Sequence, residues 1–455
     1  MVRDMTKGKP LSVIMGFCIP MLLGNVFQQF YNMADTLIVG RLIGKGALAA
    51  VGSTGSLNFL VMGFITGICN GFCISVSQRF GAGDIKEMRR FAANAVYLCA
   101  FFSVFLTALT MVFTRQLLNL IDTPDEIINY AYSYIIVIFA GITTTMAYNL
   151  LACLLRALGD SKSPLYFLAV ASVINVVLDL FFIIVLDMGV MGAGVATVIA
   201  QAVSALLCFI YIRRNFPILV FTKDDLKFSA AHSAKLILMG VPMGLQFSIT
   251  AVGSLILQKA INGLGTVAIA SITTGNKISL LFFQPMETLG ITMATYCGQN
   301  LGGNKFHRIQ SGIRVSMMVQ IAYSFAAGAV LWFFGQYIAR LFVGGAETEI
   351  IANAHFQLRV LGATYITLAV LFIMRSALQG MGYSIMAMFA GACELAGRVI
   401  AAFVLVEHFG FKGVCFAGPL SWLLADMVLI PVYFMAMRKI KKKTTIAATD
   451  KTGIF

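Results

Sequence analysis

Five carboxylates of this chain, Asp35, Asp179, Glu287, Glu394 and Asp426, stand inside long apolar stretches. An ionised side chain there is costly and marks a functional candidate. Two of the five have polar company. Asn25, Gln28, Gln29, Asn32, Asp35 and Thr36 recur at spacings of three and four, which is one face of a helix. A polar face on a membrane span turns to the protein interior or a cavity rather than to lipid. Asn175 and Asp179 are again four apart on one face. Counting about 1.5 Å of rise per residue from the ends of their stretches brings Asp35, Asn175, Asp179 and Thr197 to one layer. Four oxygen-bearing side chains, two of them carboxylates, suit a small hard cation. Two carboxylates in one dry pocket also share a proton, and their titrations are coupled. The chemistry expected of Asp35, Asn175, Asp179 and Thr197 is therefore reversible binding of Na⁺ or H⁺. The alternative, helix–helix hydrogen bonds alone, would be an expensive use of two carboxylates at matched depth.

The remaining charges read differently. Glu394 and Arg398 are four apart and are expected to neutralise each other. Glu287 lies between Pro285 and Gly290, where a helix bends. Glu287, Glu394 and Arg398 are secondary candidates. Gln28, Tyr31 and Asn149 are polar positions on the spans that would flank a central cleft, and are the candidates for a substrate cavity. The 24 Met and 37 Phe offer soft, adaptable surface, although most are expected in packing. The nine cysteines form no CxxC pair, and Cys69 with Cys73 supplies too few ligands for a metal. The four histidines are scattered. With no nucleophile–base pair and no metal cluster, neither an enzyme nor a resident cofactor is expected.

Elements of one kind must position these residues. Only 11% of the 455 residues are charged and 59% are apolar, where soluble domains average roughly 25% charged. A soluble fold would have nothing to cover its surface with. A helix needs about 20 apolar residues to cross a bilayer, and the apolar runs are too long for barrel strands. Twelve stretches qualify: 11–40, 47–77, 91–114, 128–155, 164–187, 189–212, 234–261, 267–298, 310–334, 352–378, 384–408 and 414–437. Of the 33 Lys and Arg, 24 fall at the N-terminus, on every second connection (Arg375 counted among them) or on the tail, and six fall on the opposite connections. That bias places both termini in the cytoplasm. It also accounts for the net charge of +14 without nucleic acid. The run Arg438–Lys443 is expected at anionic headgroups.

The chain also repeats itself. Pro20 and Pro242, Gly46 and Gly265, Gln78 and Gln299, Gly81 and Gly302, Gly159 and Gly382, and Gly192 and Gly413 stand 219–223 residues apart in one co-linear series. An all-α polytopic membrane protein follows, with twelve spans in two parallel six-helix repeats around a central cavity. The expected division is an N-lobe 1–215, a cytoplasmic linker 216–235, a C-lobe 236–438 and a basic tail 439–455. The C-lobe equivalents of Asp35, Asn175 and Asp179 fall at Ser254–Leu257, Ala396–Gly397 and Ile400–Ala401, so the polar layer belongs to one half only.

These residues resemble the MATE family, multidrug and toxic compound extrusion antiporters. The matching pieces are Pro20, Ala34–Asp35–Thr36 and Gly40, then Gln78–Arg79–Phe80–Gly81–Ala82–Gly83–Asp84 and its repeat Gln299–Asn300–Leu301–Gly302. Leu155–Arg156–Ala157–Leu158–Gly159–Asp160, Asn175 to Asp179, and Gly192–Ala193–Gly194–Val195–Ala196–Thr197 complete the set. The resemblance covers all twelve spans. It implies efflux of small organic, often cationic compounds in exchange for inward Na⁺ or H⁺. It is closer to the DNA-damage-inducible, DinF-like branch, whose N-lobe coupling motif maps onto Asp35, Asn175, Asp179 and Thr197. The cell membrane is the expected location, and a monomer is the default expectation. A lipid-linked precursor flippase on a related two-lobe plan is the alternative, and would want clustered Arg or Lys in its cavity for a pyrophosphate.

Overall fold

The structure, a computed structural model, describes residues 4–344 and 347–452, with side chains through 441. Arg3 and the side chains of Lys442, Lys443 and Lys451 lie outside the described residues. The described chain is helical throughout: α1 (Pro10–Leu42), α2 (Lys45–Gly81), α3 (Ile85–Leu120), α4 (Asp125–Ala140), α5 (Ile142–Ala157), α6 (Lys162–Leu180) and α7 (Gly189–Asn215). Then follow α8 (Ala230–Asn262), α9 (Thr266–Gly302), α10 (Phe306–Val343), α11 (Thr348–Gly380), α12 (Ser384–Ile400), α13 (Val406–Phe409), α14 (Phe411–Cys415) and α15 (Ala417–Thr452). Among the described residues eleven helical segments are long and apolar enough to cross a membrane, and α4 with α5, bent by 49°, makes up to twelve. The break at Gly141 departs from the continuous span expected over 128–155. The break falls at a close approach to α7, where a Cβ on Gly141 would run into Val198.

The repeat is written in the backbone. α1 and α8 have 33 residues each, and α2 and α9 have 37. After α6 and after α12 the chain makes one π-helical turn, Phe181–Val185 and Ala401–Leu405. Left-handed turns recur as well, with Gly159 and Gly382 at φ 85° and 92°. Only glycine takes that conformation at no steric cost, which explains why these positions kept their residue in both halves.

Two units emerge. One comprises Met1–Asp4 and Gly16–Gly244, the other Met5–Met15 and Leu245–Phe455. Between apolar helices in lipid no hydrophobic force drives association, so small residues must let backbones approach. In the first unit, a Cβ on Gly67 would meet the backbone of Met243 and Gly244, and one on Gly71 that of Met239 and Gly240. In the second, Gly328 and Gly362 do the same for α10 and α11. Large apolar side chains point outward, with Phe333 68% and Leu341 86% exposed, as a lipid-facing surface requires.

Both repeats are tied at the segment that leads into their first helix. In the second unit the Met5 N–H donates to Gln299 Oε1 (2.9 Å), and Arg308 Nη1 donates to the Gly8 carbonyl (2.7 Å). In the first unit the Ser229 N–H donates to Asn94 Oδ1 (2.9 Å) and Tyr97 Oη to the Leu226 carbonyl (2.7 Å). The ring of His232 lies 2.9 Å from Glu87 Oε2 and 2.7 Å from Ser229 Oγ.

Candidate functional site

Asp35 on α1 and Asp179 on α6 meet inside the first unit, with their carboxyls within hydrogen-bonding reach of each other. Asp35 is 7% exposed, and Asn175 and Asp179 are fully buried. Asp35 Oδ1, both oxygens of Asp179 and both amide atoms of Asn175 have no partner that donates to or accepts from them in the protein. Two ionised carboxylates in that state would repel each other and forfeit their solvation. A proton shared between them, or a small cation among the oxygens, removes both penalties.

Thr197 stands at the edge of this pair. The Tyr31 hydroxyl donates to Thr197 Oγ1 (3.2 Å), and the Thr197 hydroxyl donates to the Ala193 carbonyl (3.0 Å). Tyr31, expected in the substrate cavity, thus touches a residue of the polar layer. The polar stripe on α1 divides: Asp35 points inward, whereas Gln28 and Asn32 are exposed. Asn149 is half-buried and its amide donates to the Thr145 carbonyl one turn back (2.9 Å).

Three residues of this region escaped the sequence reading. Tyr134 on α4 is buried within electrostatic reach of Asp35, Tyr31 and Asp179. Gln201 and Ser204 on α7 each carry a buried oxygen without a partner. Both continue the helical face of Thr197 at spacings of four and seven, a signal present in the sequence. Tyr134, in a run of apolar and aromatic residues, had no such signal.

The second unit is built differently. The expected Glu394–Arg398 pair gives way to another: Arg375 Nη1 lies 2.6 Å from Glu394 Oε1, and both side chains are buried. Arg375, counted as a connection residue from sequence, lies inside α11. Arg398 instead donates to the Thr250 carbonyl (2.5 Å) and to Ser254 Oγ (3.0 Å) on α8. This is the place that corresponds, one repeat later, to the carboxyl pair of the first unit. Where the first unit gathers two acids, the second carries a guanidinium held by its own chain. Glu287 on α9 and Asp426 on α15 are within electrostatic reach of Arg375, and Asp426 Oδ1 is buried without a partner. Among the described residues no group of three His, Cys, Asp or Glu could hold a metal ion.

Long lipid-facing helices in two repeats, with a buried polar layer inside one of them, are the plan of a polytopic membrane transporter. A family model described as MatE matches residues 20–181 and again 242–404, following the repeat, and the chain belongs to that family. It is similar to the probable multidrug resistance protein YpnP of Bacillus subtilis, with 28% identity over 83% of this chain and 84% of that protein. It is also similar to the multidrug export protein MepA of Staphylococcus haemolyticus, with 25% identity over 97% and 96% of the two chains. A solved structure of a MATE protein in its bent conformation superimposes with a TM-score of 0.89 at 22% identity, covering 97% of this chain and 98% of that one. The chain is thus a multi-pass membrane transporter and not an enzyme.

Proposed function

We propose that this chain exports small organic compounds, with cations as the favoured class, in exchange for inward Na⁺ or H⁺. The exchange site is the layer of Asp35, Asn175, Asp179 and Thr197, with Tyr31 completing it. One observation carries the reading: two buried carboxyls lie within hydrogen-bonding reach of each other while Asp35 Oδ1 and both Asp179 oxygens accept from no donor, so the pair calls for a proton or a cation. Coupling follows if ion and substrate favour different states of an alternating-access cycle, since each then shifts the population that the other binds. Gln28 and Asn149 are assigned to substrate contacts. Glu394 and Arg398 are given a structural role, since each is held by hydrogen bonds within its unit. Both termini are placed in the cytoplasm by the distribution of Lys and Arg. The cell membrane and a monomer complete the proposal. A pyrophosphate-carrying lipid is not favoured, because Arg375 is already paired with Glu394 and Arg398 Nη1 is directed to the Thr250 carbonyl and Ser254 Oγ of α8.

Proteoliposomes test it. Ethidium flux is driven by a Na⁺ gradient alone and then by a pH gradient alone. Counterflow under at least one gradient is expected. Flux that follows neither gradient, or that persists in Asp179→Asn at the wild-type rate, overturns the coupling assignment.

A further inference from the structure

A second feature of the first unit is a cavity of about 370 Å³ between α3, α5, the end of α7 and the linker. None of the carboxyl-cluster residues lines it. Its walls are apolar: Leu150 and Leu154 from α5, Ile212 from α7, and Leu219 and Phe221 from the linker as a roof. The volume falls within the about 300–1,000 Å³ of small-molecule sites, and such sites pair apolar walls with a few placed polar groups. One charged side chain is among the lining residues, Arg213. It is exposed, its guanidinium lies 6.0 Å from the Phe209 ring centre, and it makes no ion pair among the described residues. The roof is a fixed part of the unit: Arg89 Nε donates to the Ile218 carbonyl (2.8 Å) and Nη2 to that of Pro217 (3.3 Å).

The complement of an apolar cavity with one guanidinium among its lining residues is a hydrocarbon chain with an anionic head. Phe209 is 50% exposed and Val96 39%, so the lining continues onto the lipid-facing surface of the unit. A bilayer lipid can therefore slide one tail in while its phosphate stays at headgroup depth beside Arg213. We propose that this cavity binds an acyl chain of an anionic phospholipid, with Arg213 holding the headgroup and the chain bracing the linker from beneath. The inference stands on the membrane-spanning fold and is independent of which ion drives transport.

The protein, in nanodiscs of phosphatidylcholine, is given spin-labelled phosphatidylglycerol or spin-labelled phosphatidylcholine, and the immobilised fraction is read for each. Any membrane protein slows the lipids around it, so the variants carry the test. Ala147→Trp fills the cavity from α5, Ala100→Phe fills it from α3, and Arg213→Gln removes the charge while leaving the walls intact. The expected result is a phosphatidylglycerol excess in the wild type that both filled variants lose and that Arg213→Gln reduces to the phosphatidylcholine level. Unchanged phosphatidylglycerol immobilisation in a folded filled variant overturns the site. Equal immobilisation of the two lipids by the wild type overturns the headgroup assignment. Displacement of the labelled lipid by ethidium would assign the cavity to transported substrate instead.

Discussion

Asp35 and Asp179 bring their carboxyls within hydrogen-bonding reach of one another from two different helices, and Asn175, one turn before Asp179, is buried with its amide unpartnered. Such a pair is a liability for folding. Burying two like charges without donors costs several kcal/mol unless a proton or a cation intervenes. A liability of that kind is retained for what it binds.

The first prediction separates function from stability at this pair. Asp35→Asn and Asp179→Asn are expected to reduce gradient-driven efflux to background, with thermal unfolding midpoints in detergent equal to or above the wild-type value. An amide removes the repulsion that the carboxylate brought, so stability should not fall. Wild-type efflux in either variant, or a lower midpoint accompanied by intact transport, would contradict the assignment.

A milder result is expected at the edge of the site. Tyr31→Phe deletes the hydroxyl that donates to Thr197 (3.2 Å). A neutral hydrogen bond contributes about 1 kcal/mol. The apparent affinity for the coupling ion should weaken by roughly fivefold while the maximal rate is largely kept. Ion-concentration dependence of efflux in proteoliposomes measures it, and complete loss of transport would move Tyr31 from a supporting role to an essential one.

Arg375 and Glu394 should behave as a structural pair. Arg375→Ala leaves a carboxylate buried without its partner, a change that costs about 3–5 kcal/mol. Replacing both, as Arg375→Met with Glu394→Leu, removes the charge together with its counter-charge and should recover most of the loss. Denaturation in detergent checks the single and double variants. A double variant no more stable than Arg375→Ala would argue against this account.

The linker offers a pH test with a definite sign. Burial pushes the Asp225 carboxyl up, but the Thr222 N–H (2.9 Å) and hydroxyl (2.7 Å) and the guanidinium of Arg89 (4.0 Å) hold it below the usual carboxylate range. A carboxyl lowered in the folded state contributes its stability fully above its unfolded value of about 3.9 and loses it as pH falls through the lower folded value. Limited proteolysis of the linker should therefore proceed at the same rate at pH 8 and pH 5 as far as Asp225 is concerned. Asp225→Asn should raise cleavage between Phe216 and Ser229 at both. A wild-type cleavage rate that climbs between pH 8 and pH 5 while that of Asp225→Asn stays flat would refute it.

Much of this architecture was legible before any coordinates. Hydropathy and the recurrence of Pro20, Gly159 and Gly192 some 220 residues later announce spans and a repeat, because both are properties of the chain read along its length. The layer of Asp35, Asn175, Asp179 and Thr197 could be suspected because helical rise converts residue counts into depth. The bend at Gly141 was not legible. It falls where Val198, a residue of another helix, occupies the space that a Cβ on Gly141 would fill.

Depth along a helix is local information, and azimuth against a neighbour is not. The sequence by itself determined a polytopic helical transporter in two repeats, and that acids are buried in one repeat at matched depth. The tertiary structure alone decided partners: that Glu394 turns to Arg375 rather than to Arg398 on its own helix, that Arg398 reaches α8, and that Tyr31 closes on Thr197. Each choice is set by which helix packs alongside and how it is rotated. Many weak contacts across the whole unit fix that rotation jointly, and no short stretch of sequence records it.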